Sequence, residues 1–180
     1  MATFDVSALT PEQIGALTTA QLNTLTGEEW ALLTAAQVVG LTTYQVHALT
    51  ARQLTSLASG QLSAMELTDV QAINTAAIRT LSTLTVQALT SDQVHALTTE
   101  QVPALTIDRL RRLDSAQFSA LDSTQIQALT SVQVRGLNSA QIALLATDEV
   151  AALTSQQVKA LSTEQLGSLS TEQLNAMDTV

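Results

Sequence analysis

The sequence predicts an all-α solenoid, a superhelix of short capped helices with one helix for each octapeptide. Three observations predict it. First, Leu, Met or Ile recurs every eight residues from Met1 through Leu9, Leu17 and Ile73 to Leu169 and Met177, with no insertion or deletion. Self-similarity at a fixed short period is the signature of stacked repeats. Second, each octad carries the chemistry of a helix start. With the Leu counted as place one, Thr stands at place two in half of the full octads, with Ser, Asp or Asn in several others, and Gln stands at place five in most, as in Gln13, Gln21, Gln37 and Gln45. In Thr-x-x-Gln the hydroxyl accepts from the backbone N–H three residues on, and the Gln side chain reaches back to the N–H of the cap residue. Third, place six is always apolar (Val6, Ile14, Leu22, Trp30, Val38) and place eight is usually small. The place-one Leu and the place-six residue then have the spacing of a hydrophobic staple, and places one, six and eight are expected to face the core.

A helix start every eight residues leaves room for about two turns at roughly 3.6 residues each. One continuous helix is excluded, because the Leu stripe would drift by about 80° per octad and circle the axis. Pro103 and the glycines Gly15, Gly40 and Gly136 would also lie inside it. The alternative is a β-solenoid, in which places six and eight alternate correctly but place one needs a corner to reach the same face. Abundant Leu, Ala, Gln and Glu and 2% aromatic residues favour helix. Isolated helices of this length are marginal in water, so each must stack on its neighbours. Residues 1–180 therefore form a single repeat domain of 22 octads (1–176) and a partial octad (177–180).

Along the chain, Met1 to Val6 shows neither a basic start nor an apolar run, so no classical signal peptide is expected. The expectation is a cytoplasmic protein, or one exported without such a peptide. No stretch has the ~18 consecutive apolar residues of a membrane span, and no membrane association is expected. In the first octads Phe4 stands at a usually polar place, where it is expected to cover the end of the solenoid. Trp30 reads either as a core residue or as a partner's anchor, and Tyr44, at an outward place, as a contact candidate. From Ala58 to Val86 the pattern loosens. Ala58 and Glu66 lack cap chemistry, Asp69, Ala77 and Thr85 replace Gln, and Leu67 and Leu84 occupy polar places. This is either a bend or contact surface, or repeat drift that packing tolerates.

His47 and His95 share place seven, and two lone histidines make a poor metal site. Asp92, Glu100, Glu164 and Glu172 fall in expected first turns, where they complement the helix dipole. In the octad Leu105 to Arg112, Arg109 takes the Gln place and Arg112 the small place, with Arg111 between them. These three either dock an anionic partner through forked guanidinium contacts or pair with Asp108, Asp114 or Asp122. The last copies return to consensus and Met177 opens another octad. The array is then part of a longer one, or its open ends meet end to end in a homo-oligomer.

The segment Leu9-Thr10-Pro11-Glu12-Gln13-Ile14 resembles the opening of the first helix in the repeats of bacterial TAL effectors. The likeness spans one octad at a time. That family's second helix, base-reading pair and basic character are missing, so the resemblance implies a capped helix and not DNA binding.

A net charge of −9 with a single lysine, Lys159, argues against nucleic-acid backbones and anionic membranes. With no Cys, no Gly-rich phosphate loop and no metal-ligand spacing, the sequence implies no cofactor, no metal and no enzyme. The expectation is a structural or protein-interaction scaffold with an unidentified protein partner. Candidate contacts are Arg109, Arg111, Arg112, Tyr44 and Trp30. The alternatives are nucleic-acid binding through the three arginines, or an ordered-water or ice-facing array of Thr hydroxyls.

Overall fold

The structure, a computed structural model, describes residues 5–177. It contains twenty short α-helices, from Pro11–Gly15 to Thr171–Met177, with 3₁₀ turns at Val6–Ala8 and Val102–Ala104 and no strand among the described residues. The architecture is a helical solenoid, and the β-solenoid alternative is overturned. The reason is local. The caps close backbone N–H groups within each octad, so no ladder of free groups is left for a neighbouring strand. Phe4 lies outside the described residues.

The helix starts follow the sequence chemistry. Thr10, at φ −77° and ψ 161°, accepts from the Gln13 N–H, and Gln13 Oε1 accepts from the Thr10 N–H at 2.9 Å. The same reciprocal pair recurs at Thr18, Thr42, Thr90 and Thr130, with Asp114, Asp122 or Asn138 in place of Thr elsewhere. The bend between helices lies in extended residues at places one and two, as at Leu25 (ψ 134°) and Thr26 (ψ 165°). No described residue has a positive φ, so no bend depends on glycine. One octad departs from the pattern. Pro103 has no N–H to return to the preceding turn, and Val102–Ala104 is only a 3₁₀ turn. Glu100 therefore precedes a 3₁₀ turn rather than sitting in the first turn of an α-helix.

Places one and six form one continuous core from Val6 to Leu169. Place eight does not complete it as the sequence suggests: Ala16, Leu32, Ala48 and Leu144 are exposed. The third buried place is five, and from Gln37 onward its glutamines are buried. Burying an amide is costly unless its groups are bonded, and here both ends are. Gln125 Oε1 accepts from the Asp122 N–H at 2.9 Å, while its Nε2 donates to the carbonyls of Val94, His95 and Leu97 at 3.1, 3.0 and 2.6 Å. Those carbonyls end the helix that lies one turn of the solenoid below. Gln37, Gln45, Gln101, Gln133, Gln157 and Gln165 do the same. Each glutamine thus caps its own helix at the N-terminus and the helix beneath it at the C-terminus.

This pairing fixes the pitch. Nε2 reaches back 31, 30 and 28 residues, to places six and seven of the fourth preceding octad and place one of the third. In the other direction, place-seven side chains reach a carbonyl 25 residues ahead: His47 Nδ1 lies 3.0 Å from the Ala72 oxygen and His95 Nδ1 2.9 Å from that of Ala120. One turn of the solenoid therefore takes between three and four octads. Turns meet closely enough that a Cβ at Gly40 would lie 2.4 Å from the Pro11 carbonyl oxygen.

The loosened stretch is where this ladder of amides changes. Ala77 has no amide, but the cap residue Asn74 supplies one: Nδ2 donates to His47 and Leu49 carbonyls at 2.8 and 2.9 Å while Oδ1 caps Ala77. Ser82 and Thr85 bond only each other and their own helix. Asp69 is 3% exposed, and its carboxylate stands where other octads present an N–H donor to carbonyls. Burial, and then the neighbouring Glu66 charge, push its pKa up to about 6. Glu149 occupies the same place; it accepts from the Ala146 N–H at 2.8 Å, and burial likewise raises its pKa.

Candidate functional site

The octad around Arg109 is built from the same frame. Its helix, Ile107–Leu110, starts at Thr106, whose side chain makes no cap to the backbone. Arg109 fills the glutamine place as a donor only. Its Nε bonds the Leu81 carbonyl, and its Nη1 donates to the Arg79 carbonyl at 3.1 Å and to the Thr106 hydroxyl at 2.8 Å. A guanidinium has no acceptor, so the interlayer bonds survive while the capping box is lost. Arg109 thereby spends its Nε and Nη1 on the stack, and among the described residues it pairs with no carboxylate.

Arg111 extends the other way, its Nε bonded to the Gly136 carbonyl in the next turn. That bond brings it beside Arg135, and the two line a shallow groove with Leu137, Asn138 and Glu164. Arg112 is exposed, its side chain makes no hydrogen bond or ion pair among the described residues, and it borders a second groove with Arg111 and Asp108. Exposed basic residues also stand at place seven one turn away on either side, Arg79 below and Lys159 above. The basic groups of an acidic chain thus gather on one flank, around Arg111, Arg112 and Arg135, with Asp108 and Glu164 as the acidic groups among them.

The remaining candidates separate. Tyr44 is 75% exposed, whereas Trp30 is 0% exposed and its indole N–H has no hydrogen-bond partner among the described residues. Trp30 is thus a core residue, sealed from any partner by the place-six packing that holds every octad. The Thr hydroxyls at place two accept from place-five N–H groups, as at Thr34, Thr42 and Thr130, so they do not form a free array. His47 and His95 are each spent on a carbonyl of the next turn. Sequence reading missed Arg135 and the interlayer role of the glutamines. Both depend on which octads stack, and only the place-seven spacing of Arg79, Arg111, Arg135 and Lys159 hinted at a column.

The ALTTAQ repeat family matches residues 62–99, 78–107, 127–155 and 147–179, together more than half of the chain. The chain belongs to the ALTTAQ repeat family. The six residues of that name stand at Ala16-Leu17-Thr18-Thr19-Ala20-Gln21, running from the small place through the cap to the place-five glutamine, which at Gln21 closes the capping box alone. From Gln37 onward the same unit is a hinge, a helix cap and an interlayer clamp in sequence. No curated protein matches the chain. Among the described residues, no helix is long and apolar enough to cross a membrane.

Proposed function

We propose that this ALTTAQ array is a non-catalytic scaffold that holds a protein partner along the flank of Arg111, Arg112 and Arg135. The observation that supports this reading is the division of labour among polar groups. Buried amides and cap hydroxyls are spent on the stack, and the groups left uncommitted stand on the outer surface. Such a surface binds without preparing a reaction centre. Forked guanidinium groups favour carboxylates, and Asp108 and Glu164 beside them favour a partner of mixed charge over a continuous polyanion. Tyr44 adds an exposed aromatic contact elsewhere on the solenoid.

The test is affinity capture from the native source with wild type, with Arg111→Ala/Arg112→Ala/Arg135→Ala and with Arg52→Ala as a control. The expected result is a partner held by wild type and the control but lost from the triple variant. Identical captures by all three would refute the site. Retarded migration of DNA or RNA with the wild-type chain at low salt, lost in the triple variant, would replace the protein partner with a nucleic acid.

A further inference from the structure

The basic flank carries exposed apolar side chains as well as arginines. Leu84 is 76% exposed and Val132 68%, the two most exposed large aliphatic side chains among the described residues. The helices that bear them belong to one stack. Thr83–Gln87, Ile107–Leu110, Ser131–Gly136 and Ser155–Ala160 follow one another at intervals of three octads. Thr83 borders the groove of Asp108, Arg111 and Arg112. A Cβ on Gly136 would lie 2.7 Å from Ile107 Cγ2, so the second and third helices touch. Ser131–Gly136 in turn packs on Ser155–Ala160.

Two columns run along the outside of this stack. Place seven gives Arg111, Arg135 and Lys159, one cation to each successive turn of the solenoid. Place four lies one helical turn away on the same helices. There Asp108 stands between Leu84 and Val132, and all three side chains are exposed. A continuous polyanion matches the first column but is repelled by Asp108 and gains nothing from the two aliphatic groups. A partner that uses both columns needs carboxylates and apolar groups side by side on one face.

The repeat distance selects its conformation. Packed helices lie about 8–10 Å apart, which sets the step from Arg111 to Arg135 and from Arg135 to Lys159. An α-helix laid lengthwise along the stack climbs about 10.5 Å in seven residues. Within them it presents two neighbouring side chains on one face, at i and at i+3 or i+4. A polyproline helix climbs about 9.3 Å in three residues but presents one side chain per turn to a given face, so it serves only one column.

We infer that the partner of this flank, on the reading proposed above, docks an amphipathic α-helix lengthwise across these four helices. Asp or Glu at every seventh residue meets Arg111, Arg135 and Lys159. In the adjacent row, apolar residues meet Leu84 and Val132, and a Lys or Arg between them meets Asp108. Charge fixes the register of such a contact, and the apolar pairs supply most of its strength.

The probe is a phage-displayed library of random peptides of about 22 residues, long enough for three seven-residue steps, selected on the full chain. A selected peptide is then titrated by fluorescence anisotropy against wild type, Leu84→Gln/Val132→Gln and Arg111→Ala/Arg112→Ala/Arg135→Ala. Gln already stands exposed at place four of this stack as Gln156, so the apolar variant keeps the fold. Selected peptides are expected to repeat an acidic residue every seven positions and to gain helical circular dichroism on binding. Each variant should weaken their Kd by about tenfold or more. Peptides lost from the arginine variant but held by Leu84→Gln/Val132→Gln as by wild type would leave the basic flank as a docking site and overturn the amphipathic helix. Peptides that bind without becoming helical would do the same. A library with no binder, or with binders indifferent to both variants, would overturn the helix and the flank together.

Discussion

Asp69 should make the stack weaker at neutral pH than in acid, and replacing it with the family residue should remove that weakness. Its pKa rises from 3.8 to about 6, and one unit corresponds to 1.36 kcal/mol. The ceiling is thus about 3 kcal/mol, and relaxation of the surroundings of a buried carboxylate reduces this to about 1–2 kcal/mol. The sign follows from the direction of the shift. The folded pKa lies above the unfolded one, so folding favours the protonated acid. The contribution is complete below about pH 4, is lost as pH rises through 6, and is absent at pH 7. A protonated Asp69 can also donate to the carbonyls of the turn below, which the carboxylate cannot.

Asp69→Gln supplies the donor and the box acceptor at all pH values, and Asp69→Asn removes only the charge. For a chain of this size 1 kcal/mol shifts Tm by roughly 2–4 °C, so Asp69→Asn should melt roughly 2–8 °C higher than wild type at pH 7 and within about 1 °C of it near pH 3.5. Circular dichroism melts at the two pH values measure this. Comparing variants at one pH removes the opposing carboxylates, such as Asp122, whose pKa is lowered chiefly by the Thr124 hydroxyl and whose contribution is lost as pH falls. A gap between wild type and Asp69→Asn that is the same at both pH values, or a wild type more stable at pH 7, would refute the reasoning.

Other predictions rest on the contacts between turns. Gly40→Ala should destabilise by about 1–3 kcal/mol, because its methyl would enter the Pro11 carbonyl, while Gly60→Ala, which meets nothing within 4 Å, should stabilise by about 0.5–1 kcal/mol; urea midpoints compare them. Arg109→Gln should fold at least as well as wild type, and Arg109→Ala should lose about 1–3 kcal/mol by leaving the Leu81 and Arg79 carbonyls unmet. Asn74→Ala removes one cap and two interlayer bonds together and should cost about 2–3 kcal/mol, more than Ser82→Ala, which loses only local bonds. Trp30 emission should be blue-shifted and poorly quenched by iodide, in keeping with its complete burial; free quenching would place it at a surface.

Some features could be read directly because their causes lie within a few residues. The Thr-x-x-Gln caps join groups three positions apart, and the structure has them where the sequence puts them. Place five was only half legible. Its cap partner is local, but its carbonyl partners lie 28 to 31 residues back, and nothing in a buried Gln distinguishes it in sequence from an exposed one. Arg109 was illegible for the same reason: from sequence it reads as docking a partner or pairing with a nearby Asp, and the carbonyls it meets lie 28 and 30 residues back. Asn74 shows the reverse, a cap residue whose second, distant duty makes up for Ala77.

The sequence by itself determined the unit: its length, its helical state, its caps and its two apolar places, since all of these are set by contacts along one octad. Tertiary structure alone decided the pitch, and with it the burial of place five and the gathering of Arg111, Arg112 and Arg135. Near-identical repeats carry no label for their partners. The small bend at places one and two, added over three to four octads, decides which octads meet.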